Sequence, residues 1–312
     1  MIGLIQNELI KTFEKKMSWV FAVMLVVALI GGAFLYQKTT EQQKDGTDTW
    51  QESVQLEIKD LQDQQKTASD EEKGYIGDQI NQKQWYINEN VNPYPTNWSF
   101  MNELVAFLKA LITLFVVIVC AGNISSEFSD GTIKQLLIRP HRRWAILVSK
   151  YIAMLIYALF LIIVLIVFGY LISLLFFGGG NYSDNINVGM MAVSGGDHFF
   201  RMMFYYLPGL LMIITIAFML STLFKNQAIA VGVGIFVLFF SSTMGSYILF
   251  LAEKYAWTKV LIFPHLDQTI FVVQDKILGN ITMPMSLGIL SGYYIIFMII
   301  TFVFFQKRDI SI

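Results

Sequence analysis

The sequence has little charge, one cysteine and few histidines. Charged residues make up 14% of the 312 positions, whereas an average soluble domain has about 25%. The net charge of −1 gives no electrostatic reason to expect a nucleic-acid partner. The single cysteine, Cys120, excludes an intramolecular disulfide and a cysteine-based metal cluster.

Motifs for nucleotide hydrolysis and for common hydrolytic chemistry are also missing. The chain contains no G-x-x-x-x-G-K-[ST] stretch and therefore no P-loop for ATP. Neither H-E-x-x-H nor the G-x-S-x-G elbow occurs. His141, His198 and His265 fall in different predicted loops, without a carboxylate at helical spacing. We therefore expect no catalytic residue, metal site, cofactor or enzyme activity in this chain.

Long apolar runs dominate what is present. Hydrophobic residues make up 55% of the chain and aromatic residues 15%, and the mean hydropathy is +0.56. A helix needs about 20 apolar residues to cross a bilayer. Six segments approach or exceed that length, and they predict an all-α polytopic membrane protein with six spans: Met17–Tyr36, Phe100–Ile124, Ile146–Phe177, Met202–Phe224, Gln227–Leu251 and Ser286–Phe305.

Lysine and arginine in short loops indicate the orientation of these spans. With the N-terminus inside, most such residues fall in segments that face the cytoplasm, chiefly 11–16, 134–150 and 307–308. We therefore expect a multi-pass protein of the cell membrane with both termini in the cytoplasm. The first apolar run is longer than the 7–15 residues of a signal peptide, so we expect it to remain as an anchor.

The segments outside the spans divide the chain into three predicted domains. Residues 1–36 combine an amphipathic helix, expected to lie in the membrane interface, with the first span. Residues 37–99 predict an extracellular helical hairpin, in which a capping-box pattern at Ser69–Glu72 starts the second helix. Residues 100–312 form the predicted transmembrane domain.

Three further segments of that last domain lie outside the spans. Residues at about 125–145 form a charged cytoplasmic insert. Residues 178–201 are rich in glycine but lack the lysine of a phosphate-binding loop, and we expect a flexible connector. Residues 252–285 are apolar yet broken by Pro264, which predicts re-entrant outer helices before the last span.

The charged insert carries a family resemblance. Its sequence S-E-F-S-D-G-T-I-K-Q-L-L-I-R-P covers residues 126–140, and F-P-H-L-D and F-Q-K-R-D-I follow at 263–267 and 305–310. Together with Arg143 and Ser149–Lys150, these stretches resemble the type-2 ABC transporter permeases, in particular the bacitracin-resistance-like exporters of Gram-positive bacteria, which implies a bacterial origin. The resemblance covers the whole membrane part, whereas the loop 37–99 is longer than in many relatives.

The resemblance implies that this insert is a coupling helix that docks on a separate ATP-binding subunit. Acids at its start suit a helix N-terminus, a glycine permits a sharp turn, leucines offer an apolar contact face, and arginines supply charge. The implied docking residues are Glu127, Asp130, Gly131, Thr132, Leu136, Leu137, Arg139 and Arg143.

Polar residues inside spans are costly, and we treat them as a candidate translocation path. Each also has a structural interpretation, because a lysine can extend to the membrane interface and small residues permit close packing of helices. The candidate residues are Lys109, Ser241, Ser242, Thr243 and Ser246.

These observations predict the permease subunit of an ATP-driven ABC exporter of an amphipathic substrate, such as an antibiotic, a peptide or a lipid-like molecule. The expected partners are two ATP-binding subunits that hold ATP and magnesium, a second permease, identical or related, and membrane lipid. The alternative is a sensor or immunity protein that binds a peptide or antibiotic through the outer hairpin without transporting it.

Overall fold

The computed structural model describes residues 1–40, 48–132, 142–251 and 254–307, and most of them are helical. The helices are α1 (Ile2–Glu14), α2 (Lys16–Thr39), α3 (Trp50–Thr67), α4 (Asp70–Asn88), α5 (Asn97–Ser129), α6 (Arg143–Phe177), α7 (Gly195–Leu223), α8 (Gln227–Leu251) and α9 (Met283–Lys307). Helices α2 and α5 to α9 are long and apolar enough to cross a membrane. The prediction of a mostly helical protein with six candidate spans is confirmed.

The ends of two spans differ from the prediction. Helix α5 begins at Asn97, passes through a π-helical turn at Met101–Val105 and ends at Ser129. Helix α7 begins at Gly195, seven residues before the apolar run, and its first turns include an ion pair of 3.4 Å between Arg201 and Asp197. An apolar run ends at such polar residues, whereas the hydrogen bonds of the helix backbone continue through them.

Contacts divide the structure into two compact units, and the first consists of Met1–Leu25, Leu108–Leu165 and Met202–Ile312. In its core the ring of Phe21 stacks on that of Phe115, with centroids 4.4 Å apart. Other large side chains of this core are fully buried, among them Leu25, Ile112, Ile124, Met154, Tyr157 and Phe218.

Large apolar side chains on several long helices remain exposed. Val23 is 59% exposed, Phe236 64% and Ile295 57%. A large exposed apolar surface is unusual on a soluble monomer. It suits helices whose outer faces contact lipid.

The first unit also contains the segment between α8 and α9. It forms short 3₁₀ helices at Ala256–Val260, Phe263–His265 and Gln268–Val272, followed by the antiparallel strands β3 (Lys276–Ile277) and β4 (Ile281–Thr282). Strands β1 (Asn185–Val188) and β2 (Met191–Ser194) precede them in the chain and belong to the second unit. Re-entry of this segment into the bilayer stays a prediction.

The second unit consists of Val26–Phe107 and Ile166–Arg201 and includes α3 and α4. Lys83 of α4 forms an ion pair of 2.7 Å with Glu57 of α3. The predicted capping box at the start of α4 is confirmed, since the Ser69 backbone N–H donates to a Glu72 carboxylate oxygen at 3.0 Å. The extracellular position of these helices stays a prediction.

The glycine-rich segment 178–201 differs from the flexible connector that the sequence predicted. Strands β1 (Asn185–Val188) and β2 (Met191–Ser194) pair antiparallel in place of a flexible connector. Gly189 and Met190 form the two-residue turn, with φ angles of 60° and 65°. A hairpin turn of this kind requires positive φ at both positions. Because Met190 is not a usual turn residue, the sequence pattern did not indicate the hairpin.

Candidate functional site

Charged side chains from three helices meet in the first unit. The Lys150 Nζ of α6 lies 2.7 Å from Oε2 of Glu8 in α1 and 2.7 Å from Oε1 of Glu127 in α5. The Lys11 Nζ lies 3.4 Å from the Glu8 carboxylate and 3.3 Å from that of Glu127. We call these four residues the charged cluster.

Most of the charged cluster is withdrawn from water. The side chain of Lys150 is 1% exposed, that of Glu8 5% and that of Glu127 13%, while Lys11 is 42% exposed. Two carboxylates and two ammonium groups balance in formal charge. A buried charge that loses its partner costs about 3–5 kcal/mol. The cluster therefore holds α1, α5 and α6 together as long as all its members are present.

The local sequence of α1 explains how Glu8 reaches this place. Glu8, Lys11 and Thr12 are three or four residues apart, so they lie on one face of the helix. The Thr12 hydroxyl donates to the Glu8 carbonyl at 2.8 Å, and Ser18 donates to the Thr12 carbonyl at 2.6 Å. The opposite side of the helix stays open, with Ile2 74% exposed. This arrangement suits a helix that lies in a membrane interface.

Hydroxyl groups fix the end of α5 against its neighbours. The Ser221 Oγ of α7 accepts hydrogen bonds from the backbone N–H groups of Ile124 and Ser125, at 2.8 and 3.1 Å. Ser129 donates to the Lys225 carbonyl at 3.1 Å and accepts from the Gln227 N–H at 3.1 Å. Glu127 therefore sits on a backbone that is held from several sides.

A cavity of about 440 Å³ lies beside the charged cluster. All four cluster residues line it, together with other polar groups such as Asp130 and Thr132. Within the described parts of the chain, Oε2 of Glu127 is buried and has no hydrogen-bond partner. The cavity therefore presents a carboxylate oxygen that can still accept a hydrogen bond, next to the last described residue before the segment 133–141.

The structure brings three of the predicted docking residues, Glu127, Asp130 and Thr132, to this cavity. The expected sharp turn is confirmed at Gly131, whose φ of +69° is one that other residues rarely adopt. Arg143 lies at the start of α6, where it donates to the Gln306 carbonyl at 3.1 Å. Three further docking residues lie outside the described residues: Leu136, Leu137 and Arg139.

The candidate path residues have local partners where they are described. The Lys109 Nζ donates to the Thr269 hydroxyl at 3.1 Å. Ser241 and Thr243 donate to carbonyl groups one turn earlier in their own helix, at 2.6 and 3.1 Å. The side chains of Ser242 and Ser246 lie outside the described part. Bonding within a helix suits the packing interpretation, and a translocation path stays a prediction.

The sequence did not predict the contact between Glu8 and Lys150. A signal was present, because Lys150 falls five residues into the apolar run Ile146–Phe177, and a charge inside a predicted span requires a partner. The identity of that partner was not readable, since Glu8 lies 142 positions away. In the sequence, Lys150 contributed to the predicted orientation and to the family resemblance, but nothing there indicated a contact with α1.

Six apolar helices define the chain as a multi-pass membrane protein. It belongs to the family described as "Protein of unknown function (DUF2705)", which matches residues 77–311. The "Uncharacterized protein YhcI" of Bacillus subtilis (strain 168) is 33% identical over 323 residues and is matched over the full length of both chains. The "Uncharacterized membrane protein YdbK" of the same organism is 30% identical over 208 residues, covering 66% of this chain and 80% of that protein.

Proposed function

We propose that the chain is the membrane-spanning permease subunit of an ATP-driven ABC exporter of an amphipathic substrate. The observation that carries this proposal is the charged cluster. It joins α1 to the helices on either side of residues 133–141, and the sequence of that segment resembles a coupling helix. The substrate would be an antibiotic, a peptide or a lipid-like molecule, as the resemblance implies.

The cluster gives a physical route from the coupling segment to the spans. Glu127 lies near the end of α5, and Lys150 lies near the start of α6, 2.7 Å away. Separating them leaves buried charges unpaired, which costs several kcal/mol. A displacement of the segment 133–141 by a partner would therefore move α5, α6 and α1 together and would not pull them apart.

The energy source in this proposal is a separate protein. The chain has no P-loop, so two copies of an ATP-binding subunit would hold ATP and magnesium. A second permease, identical or related, would complete the path through the lipid bilayer. With both termini in the cytoplasm, the cavity beside Glu127 faces the side on which such a subunit docks.

Mild extraction from the native membrane tests this assignment. We expect the chain to co-purify with a protein that contains a P-loop, and the complex to hydrolyse ATP at a rate that the isolated chain does not show. ATP hydrolysis by the isolated chain, or a complex without any P-loop protein, would contradict the proposal.

Cysteine labelling tests the orientation independently. In a Cys120→Ala background, Asp60→Cys should react with an impermeant maleimide on intact cells, and Gln135→Cys should react only after permeabilisation. Cys120 is fully buried, so we expect little reaction of the maleimide with this residue even before it is replaced. The reverse labelling pattern would place the charged cluster on the outer side and exclude docking of a cytoplasmic ATPase there.

A second candidate function is ligand sensing without transport. The observation in its favour is a cavity of about 310 Å³ that lies wholly within the second unit, which also contains α3 and α4. A chain that binds a ligand but co-purifies with no ATPase would support sensing over export.

A further inference from the structure

The cavity of the second unit has the composition of a binding site. Its volume of about 310 Å³ is at the lower end of the range of small-molecule sites, about 300–1,000 Å³. Three tyrosines, Tyr36, Tyr86 and Tyr94, contribute to its wall, and Glu103 is the one charged residue among its described lining residues. The site is therefore aromatic and has one carboxyl group among these residues.

Hydrogen bonds fix which nitrogen of His198, another lining residue, carries a proton. The Asn102 Nδ2 donates to two carbonyl groups, of Trp98 at 2.9 Å and Gly195 at 2.8 Å. The Asn102 Oδ1 is therefore the atom that faces His198 Nδ1, at 2.8 Å. An amide oxygen only accepts hydrogen bonds, so Nδ1 must be the protonated nitrogen.

The other ring nitrogen of His198 is then an acceptor in the neutral imidazole. This Nε2 is buried, and no described residue provides it with a hydrogen-bond partner. A buried acceptor without a donor costs about 1–3 kcal/mol. Because His198 lines the cavity, a ligand that brings a donor to Nε2 would remove that cost.

Glu103 adds a second acceptor on the same cavity. Its side chain is in hydrogen-bond contact with the Tyr36 hydroxyl, and the residue remains exposed, so it is within reach of a ligand. The amide oxygens of two other lining residues are already used, since Asn92 accepts from the Tyr94 N–H and Asn187 from the Met190 N–H. The acceptors that remain available to a ligand, Glu103 and His198 Nε2, favour a positively charged hydrogen-bond donor.

We propose that this cavity binds the ammonium group of a cationic amphipathic amine. Glu103 is the counter-ion, His198 supplies a second acceptor, and the tyrosine rings contact the apolar part of the ligand. Tyrosine faces also attract cations. Anions are disfavoured, because no lysine or arginine is among the described lining residues. The inference stands apart from the proposed function, because binding is measured without ATP or an ATPase.

A matched pair of probes tests the charge requirement in the unaltered chain. We would titrate 2-phenylethylammonium and 2-phenylethanol into the full chain in nanodiscs of zwitterionic lipid, using empty nanodiscs as the blank for partitioning. The two molecules share size and ring and differ in charge. We expect saturable binding of the ammonium compound that is at least about tenfold tighter than that of the alcohol, because only the ammonium group can pair with the Glu103 carboxylate. A tenfold ratio corresponds to about 1.4 kcal/mol.

Two variants locate the site. Glu103→Gln keeps the shape of the side chain and should weaken binding of the ammonium probe about tenfold, which corresponds to loss of a charge-assisted hydrogen bond. The control Glu71→Gln removes the same charge from an exposed position of α4 and should leave binding unchanged. His198→Phe keeps a ring but removes the acceptor and should weaken binding several-fold.

Three results would overturn the inference. One is equal affinity for the alcohol and the ammonium compound, and another is unchanged affinity after Glu103→Gln. The third is the absence of saturable binding above the blank up to about 10 mM, which is the weak end of measurable affinities. None of these results depends on whether the chain exports anything.

Discussion

Two buried polar groupings in the first unit are held together by different interactions. The charged cluster uses ion pairs between α1, α5 and α6. The second grouping, which we call the neutral network, consists of His265, Gln268, Ser286 and the Lys259 carbonyl. In it, His265 Nε2 lies 2.8 Å from that carbonyl and Nδ1 lies 2.8 Å from the Ser286 hydroxyl. Gln268 donates to Ser286 and to the His265 carbonyl, both at 2.6 Å.

The difference teaches what each grouping contributes. A neutral network of hydrogen bonds fixes a loop without burying charge, although Oε1 of Gln268 is buried and has no partner among the described residues. A buried ion pair is often no more stabilising than apolar residues of the same size, so its presence is a weak argument for stability. We therefore attribute the folding of the segment before α9 to the neutral network, and we propose mechanical coupling between helices as the role of the charged cluster.

The largest expected effect is that of removing the central lysine. Lys150→Met keeps the volume of the side chain but leaves Glu8 and Glu127 with Lys11, which is 42% exposed, as the one described cation beside them. We therefore expect a loss of about 3–5 kcal/mol in the free energy of unfolding. Denaturant unfolding of the detergent-solubilised chain measures it. The control Lys225→Met removes a lysine from an exposed position and should change stability little.

A combined variant separates lost charge balance from lost packing. Adding Glu8→Gln and Glu127→Gln to Lys150→Met removes all three charges and should restore most of the stability, because no buried ion is left unpaired. A single Lys150→Met variant as stable as the unaltered chain would show that the cluster is not buried in the folded protein.

A smaller effect is expected from pH acting on the neutral network. Burial lowers the pKa of His265, whereas the unfolded residue keeps a pKa of about 6.5. The stability from the neutral imidazole is therefore complete above about pH 6.5 and is lost as the pH falls through the folded value. The loss is at most about 1.4 kcal/mol per pH unit.

Melting curves between about pH 7.5 and 5.5 check this expectation, because this window spans the unfolded pKa of histidine and lies above those of most carboxylates. The unaltered chain should lose stability over this range, and His265→Asn should lose less. His141 and His198 are present in both proteins, so their contributions cancel in the difference. Equal pH dependence of the two proteins would mean that His265 is protonated as easily in the folded state as in the unfolded state.

The smallest effect is expected at an exposed ion pair of the second unit. Lys73 and Asp70 of α4 lie 3.0 Å apart, but their side chains are 46% and 97% exposed. Such pairs contribute about 0–1 kcal/mol. The change in unfolding free energy caused by Lys73→Ala should therefore be several-fold smaller than that caused by Lys150→Met. A comparable loss in the two variants would remove the distinction between buried and exposed ion pairs on which this comparison rests.

The sequence allowed the six spans, the capping box of α4 and the turn at Gly131 to be predicted, because each depends on residues close together in the chain. The β1–β2 hairpin was missed, since its turn places a methionine at positive φ. The pairing of Glu8 with Lys150 depends on how α1 packs against α6, and a single sequence does not contain that information. Both cavities were missed for the same reason.

In the proposed exporter, a separate ATPase binds the segment between α5 and α6. The most direct measurement is the ratio of ATPase to permease in complexes extracted from native membranes, for the unaltered chain and for the double variant Leu136→Glu, Leu137→Glu. We predict equal numbers of the two subunits with the unaltered chain, and loss of most of the ATPase from a variant that still inserts in normal amounts. An unchanged ratio in the variant would contradict docking at this segment.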